Sequence, residues 1–286
     1  MNRTVIYAHY DSEDYIHSYV VYYIAKLSEI SNTIIFVSDS NLSPKEIIKV
    51  EEYCSNIIVG HHGEYDFGSY KRGFMYCVQN NMLHNINELV FCNDSCFGPI
   101  GINGFKDLFE TMERKSSDFW GISINNFGLE KQVQDYVYVQ NKPHVQSYFF
   151  VCTSIVFNST WFYEFMTSVK GELNKSEIII QYEQGLTQLC KQYGCSIESY
   201  LPFDKDKRDI AKKWQQVILE NGILIKKSQF KDIMLHLRKI RHYKSIFIIT
   251  YSIKQIGFIT TAKILLAEFK NRLFCGNTEQ KNENSF

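Results

Sequence analysis

No Cys-x-x-Cys pair occurs in the chain, so a zinc site of the usual ligand spacing is not expected. The eight cysteines, at 54, 77, 92, 96, 152, 190, 195 and 275, are scattered through strand-like and helix-like stretches. That is the distribution of small buried hydrophobes in a reducing cytosol. A signal peptide's long apolar region is missing too, since Met1 to Tyr7 runs directly into a strand. The apolar stretch Ser245 to Tyr251 is too short to span a bilayer. No nucleic-acid motif and no internal repeat is recognisable, so nucleic acid is not an expected partner. Net charge is absent as well, with 31 Lys and Arg against 31 Asp and Glu.

That zero conceals an asymmetry. From Asp204 onward there are 17 basic and 8 acidic residues, a net of +9, which leaves 14 and 23, a net of −9, for the first 203. An acidic body with a basic tail points to something anionic meeting the tail, and an anionic membrane surface fits best. The chain of 286 residues is long enough for one large α/β domain, or one domain plus an appendage. Its 45% hydrophobic and 22% charged content excludes general disorder. The 19 Tyr and 21 Phe suit polar clefts walled by rings.

The most informative stretch runs from Glu88 to Pro99. An apolar run, Leu89 to Cys92, leads into Asn93-Asp94-Ser95 and a Gly98-Pro99 stop, the pattern of a central parallel strand. Ligands in open α/β sheets collect beyond the carboxyl ends of such strands. Asp94 there either caps the next helix or serves a nucleotide-sugar site.

Other strands are expected at Thr4 to Tyr10, Thr33 to Val37, Asn56 to Gly60, within Asp118 to Ile124, and before Cys152, alternating with helical patterns. The alternation predicts βαβ units and a largely parallel sheet, with helices at Tyr15 to Ile30, from Pro44, around Phe105 to Arg114, at Trp161 to Val169 and at Ile178 to Tyr193. Right-handed crossovers then bring Tyr10, Asp11, Asp39 and Asp94 towards one crevice. Asp39 either accepts from a base or ribose or forms a turn.

The segment His61 to Gly73 holds three glycines, Asp66 and Ser69 as helix-capping residues, and Lys71 and Arg72 as cationic donors suited to pyrophosphate. It reads equally as a capped loop with solvated charges. The segment from Asn125 to Pro143 is polar and irregular, a mobile loop over the cleft by pattern. Glu183, on the helix that runs to Tyr193, stands where an acceptor hydroxyl would need a base, although a single helix carboxylate is commonly just exposed. Domain bounds of 1–203, a basic helical extension over 204–274 and a disordered tail over 275–286 follow from texture. The extension is either a membrane-surface helix or a helix pair closing the domain's own core.

Seven segments in order carry a resemblance. They are Ile6 to Asp11 with Tyr15 to His17, Ile35 to Ser38, Tyr65 to Gly73, Asn93 to Ser95 with Gly98-Pro99, Asp118 to Gly121, His144 to Tyr148, and Tyr182 to Thr187. Through them the chain resembles the rhamnan synthesis protein F family of bacterial polysaccharide glycosyltransferases over about residues 4 to 203. The resemblance implies a GT-A-like nucleotide-diphosphosugar transferase fold. It also implies transfer of a deoxyhexose, typically L-rhamnose from a dTDP-sugar, to a cell-surface polysaccharide or lipopolysaccharide acceptor.

In such folds a D-x-D element holds a divalent metal on the donor diphosphate. Here Asn93-Asp94-Ser95 offers one carboxylate, so Mg²⁺ or Mn²⁺ is held mainly by phosphate oxygens or is absent, with His144 as a second protein ligand to pair with Asp94. Without a metal, Lys71, Arg72 or a backbone nest must offset the diphosphate charge. The expected reaction is direct displacement with inversion. Glu183 is the expected base, Asp66 the alternative base or a holder of donor hydroxyls, and the nucleotide sugar meets Tyr10, Asp11, Asp39, Ser69 and Asn93. A glycan or lipid-linked glycan accepts the sugar, in the cytoplasm or on the inner face of the plasma membrane. The competing reading is a non-catalytic subunit of a polysaccharide assembly complex that binds nucleotide sugars or glycans.

Overall fold

Arg3–His9 is buried along its whole length and forms the first strand, β1. The computed structural model describes residues 1–99, 104–125, 130–133, 136–139, 143–171, 174–202 and 223–228. After β1 come helix α1 (Ser18–Ser28), β2 (Thr33–Ser38), α2 (Pro44–Glu51), β3 (Asn56–Val59) and α3 (Tyr65–Gln79). Pro44 sits at the start of α2, where a missing N–H costs nothing and its fixed φ favours the helix. Next are β4 (Glu88–Asn93), β5 (Cys96–Phe97), α4 (Phe105–Lys115), β6 (Phe119–Gly121) and β7 (Ile124–Asn125).

The hairpin β8 (Glu130–Val133) and β9 (Tyr136–Val139) is followed by β10 (His144–Val145) and β11 (Phe149–Thr153). The segment between Asn125 and Pro143, expected to be irregular, therefore carries an antiparallel pair. Tyr136–Val139 alternates β-branched and aromatic residues, which favours a strand despite polar neighbours. Helices α5 (Ser154–Phe157), α6 (Thr160–Thr167) and α7 (Lys175–Ile178) lead to a π-helical turn, Ile179–Gln184, and then α8 (Gly185–Gln192). Two short strands complete the set, β12 (Ile197–Ser199) and β13 (Ile225–Lys226).

The main sheet has the order β12-β6-β11-β4-β1-β2-β3. It is a mostly parallel α/β arrangement, as the strand–helix alternation predicts. One strand is reversed, since β11 pairs antiparallel with both β4 and β6. The start of β11 therefore lies at the carboxyl rim of β4, with Phe149 opposite Cys92. Residues 144–148 arrive at that rim just before the reversed strand begins.

Both sheet faces are covered. Helices α1 and α4 pack on one side through Val20, Tyr23, Leu108 and Phe109, while α3, α6 and α8 pack on the other through Phe67, Phe74, Phe162 and Leu186. Burial of both faces explains why β1, β2 and β4 read as continuous apolar runs rather than alternating ones. Contact between α3 and β1 is close enough that a Cβ at Gly73 would sit 2.4 Å from Ile6 Cγ2. Gly73→Val must push the helix off a fully buried strand residue. Overpacking of this kind costs about 1–3 kcal/mol, to be read as a lowered denaturation midpoint; an unchanged midpoint would mean that the helix can slide.

Residues 223–228, within the stretch expected as the basic extension, pack on the main body. Ile223, Leu224 and Ile225 are buried in the same core as α1 and α4, and β13 pairs with β5. Three consecutive apolar residues favour burial in the main body over membership of a separate basic appendage. The rest of the expected basic extension over 204–274, its membrane-facing helix and the tail over 275–286 lie outside the described residues. Among the described residues, no helix is long and apolar enough to cross a membrane.

Candidate functional site

The carboxyl ends of β1, β2 and β4 share one rim, because Ala8 pairs with Asn93 and His9 with Ser38. The π-helical turn adds Glu183 to it, and Thr187 Oγ1 fastens that helix to β10 by accepting from Val145 N at 3.1 Å. Single π-turns inside helices recur at functional sites because the extra residue re-aims a side chain.

Four predicted or motif-borne residues meet here. Asn93 Nδ2 donates to Asp66 Oδ2 at 3.1 Å, and Ser147 Oγ lies 2.8 Å from the same oxygen and 2.9 Å from Glu183 Oε1. A serine hydroxyl has one proton, so it can donate to only one of the two carboxyls. The second contact is a hydrogen bond if the other carboxyl is protonated and donates to Oγ. Of the two, Glu183 has its proton affinity raised to near neutrality. Burial, followed by the charge of Asp66, pushes its carboxyl up to about 7, against the opposing pull of Lys226. Burial raises the Asp66 carboxyl as well, but bonds from Ser147, the Phe67 N–H and Asn93 act in the opposite direction. Two carboxyls with unequal environments and one shared hydroxyl are an arrangement that can hold and release a proton.

His144 Nε2 lies 3.7 Å from Glu183 Oε2. His144 was expected to join Asp94 at a divalent ion, but it neighbours Glu183, while Asp94 Oδ2 faces Lys227 Nζ at 3.2 Å. Asn93 Oδ1 is taken by the Ser95 N–H and hydroxyl. Among the described residues, no group of three His, Cys, Asp or Glu could hold a metal. A lone carboxylate already facing an ammonium does not fit a protein-held Mg²⁺ or Mn²⁺, which needs more oxygen ligands.

Other candidates are placed differently from expectation. Lys71 and Arg72 turn to Glu64, Lys71 Nζ at 3.0 Å, and Lys71 also donates to Val169 O at 2.8 Å. A helix of 3.6 residues per turn that aims Asp66 at the rim turns Lys71 and Arg72 elsewhere. Ser69 Oγ bonds His62 Nε2 at 3.0 Å. Asp39 is buried and accepts from the main-chain N–H groups of His62 and Gly63, with His61 Nδ1 at 3.0 Å. It shapes the loop between β3 and α3 rather than offering a free carboxylate. Asp11 accepts from the N–H groups of Glu13 and Tyr15 and pairs with His17 at 3.1 Å. Tyr10 is exposed on the rim.

Sequence reasoning missed four residues at this rim. Ser147 lay inside a motif but was not singled out. Lys226 and Lys227 were counted only as tail charge, although Lys227 Nζ also reaches Tyr19 Oη at 2.7 Å and Lys226 Nζ lies 4.8 Å above the Tyr148 ring. His9 is buried at the end of β1, its Nδ1 2.9 Å from Ser38 Oγ, and its Nε2 has no hydrogen-bond partner among the described residues. Burial lowers its pKa against the pull of Asp94 and Asp11, which favours the neutral imidazole.

A family model described as "Rhamnan synthesis protein F" matches residues 34–266. The chain is 26% identical over 189 residues to "Uncharacterized protein y4gN" of Sinorhizobium fredii, covering 66% of this chain and 45% of that one. It is 29% identical over 163 residues to "Virulence protein VirA" of Vibrio anguillarum, covering 56% of this chain and 47% of that one. The chain thus spans about half the length of the curated relatives it matches. Among solved structures, a cytidylyltransferase from Leptospira borgpetersenii superposes with a TM-score of 0.43 at 8% identity, covering 90% of this chain and 98% of that one.

Proposed function

The chain belongs to the rhamnan synthesis protein F family, and from that premise we propose that it is a glycosyltransferase of GT-A type. It moves a sugar from a nucleoside diphosphate, a dTDP-deoxyhexose such as dTDP-L-rhamnose, to a glycan acceptor in polysaccharide biosynthesis. The observation that carries this reading is the Asp66–Ser147–Glu183 unit at the carboxyl rim of the sheet, where α/β folds collect ligands.

Glu183 takes the acceptor proton as the hydroxyl attacks the anomeric carbon, and its proton affinity near neutrality suits that task. Ser147 bridges Glu183 to Asp66, whose charge keeps the proton affinity of the base high, and Asn93 fixes Asp66 in turn. Direct displacement by one base, with no second nucleophile required, gives inversion. The leaving nucleoside diphosphate departs along the β4 rim at Asp94. An anionic membrane surface met by the basic C-terminal part would bring the protein to a lipid-linked acceptor.

The test is release of nucleoside diphosphate from dTDP-L-rhamnose, UDP-sugars and GDP-sugars, with water or added glycan as acceptor. Release from the dTDP-sugar, stimulated by glycan, is expected. Release from UDP- or GDP-sugars alone would keep the class and discard the deoxyhexose. Binding without release from any donor would favour a non-catalytic binding subunit.

A further inference from the structure

We propose that Lys227, assisted by Lys226, binds the donor diphosphate in the place where a divalent cation is usual, so that donor binding requires no metal. The proposal rests on the nucleotide-diphosphosugar reading above.

A diphosphate that approaches Asp94 alone would meet a carboxylate of its own sign. Lys227 removes that conflict. Its ammonium lies 3.2 Å from Asp94 Oδ2 and 2.7 Å from Tyr19 Oη, and it stands 5.1 Å from the centre of the Tyr19 ring. An ammonium has three N–H donors, so two such partners leave one for a phosphate oxygen. The Lys227 side chain is 38% exposed, enough for an anion to reach it.

The placement of this lysine is built into the fold. Lys227 N donates to Ser95 O at 2.8 Å, Lys226 pairs with Cys96, and Ile223, Leu224 and Ile225 are buried beneath them. Three apolar side chains and a short strand pairing thus fix the backbone of Lys226 and Lys227 against the turn that follows Asp94. Lys226 extends the positive field to the other side of the rim, above Tyr148, where its charge acts on Glu183 and Cys96. Lys71 and Arg72, the cations expected from sequence, are held by Glu64. The Asp94 carboxylate is then a holder of Lys227 and not a metal ligand.

The experiment titrates dTDP, UDP and GDP separately into the full chain, each in excess EDTA and each in Mn²⁺. The wild type is expected to bind the preferred nucleotide in EDTA with an affinity within about twofold of that in Mn²⁺, and Lys227→Met to bind at least about tenfold more weakly in EDTA, the loss of one charge-assisted bond. Lys227→Arg, which keeps the charge, should recover most of that affinity, and melting curves of the three proteins control for folding. Binding in Mn²⁺ but not in EDTA would overturn the metal-free site while leaving the transferase reading intact. Wild-type affinity in Lys227→Met would overturn the lysine's role in the same way. No binding of any nucleotide under either condition would remove both readings.

Discussion

Glu183→Gln is expected to lower sugar transfer about a thousandfold, the middle of the range for loss of a general base, with nucleotide affinity within about twofold of wild type. Gln keeps the size and a carbonyl acceptor for Ser147 but cannot take a proton. The wild-type rate at limiting substrate should rise with pH through about 7 and level off above it, because the carboxyl must be ionised to act. A flat profile, or a Gln variant that still turns over, would remove Glu183 from the role.

The same carboxyl carries a stability signature with its own sign. Its folded pKa is raised, so the folded state binds a proton more readily than the unfolded chain between about pH 4.5 and 7. Folding stability therefore falls across that window as pH rises. The wild-type protein holds this disadvantage at neutral and alkaline pH, and Glu183→Gln does not. The variant should be the more stable protein above pH 7 by about 3 kcal/mol, at roughly 1.4 kcal/mol for each tenfold gain in proton affinity. The difference should vanish below about pH 4.5. Denaturant titrations at pH 4.5 and pH 8 read both ends.

Loss of Arg3 is expected to damage stability severely. Its guanidinium Nε lies 2.5 Å from Glu88 Oε2, with both side chains 8% exposed. It also reaches Glu113 Oε1 at 3.0 Å and donates to Ile30 O at 3.0 Å, while its plane covers the Phe109 ring at 3.9 Å. Arg3→Met would leave the Glu88 carboxylate buried without its cation, a change that costs about 3–5 kcal/mol in comparable settings. Arg3→Met with Glu88→Leu should regain much of the loss, since the penalty belongs to the stranded charge. A single variant within about 1 kcal/mol of wild type would show that Glu88 finds water or another donor.

Much of the fold was legible because the sheet is buried on both faces. That burial turns β1, β2 and β4 into apolar runs with turn residues at their ends, and such runs announce a parallel sheet. Reversal of β11 was not legible, since direction leaves no mark on the pattern of a strand buried on both sides. Asp66, Asn93, Asp94 and Glu183 can be singled out from sequence because polar residues at strand ends and a helix carboxylate after a central strand are local signals, and the fold brings Asp66, Asn93 and Glu183 to one rim.

Lys71, Arg72 and Asp39 are engaged by partners that their own segments do not reveal. Composition puts a charge in a segment but does not say whether Glu64 or a loop N–H will claim it first. Lys227 was invisible for the opposite reason, as its partner Asp94 lies 133 positions away along the chain. A count of tail charge could register its sign and nothing of its place.

The reversed strand β11 also limits how this protein can diverge. Phe149 and Val151 lie in one core, Phe150 and Cys152 in the other. One residue inserted or deleted just before β11 would exchange those two sets across the sheet, or move Ser147 off the rim, and the period of two in a strand allows no compromise. Changes of acceptor or linkage in descendants of this chain should therefore come by substitution around positions 144–148, with the length of that approach held fixed, and variation in length should fall elsewhere.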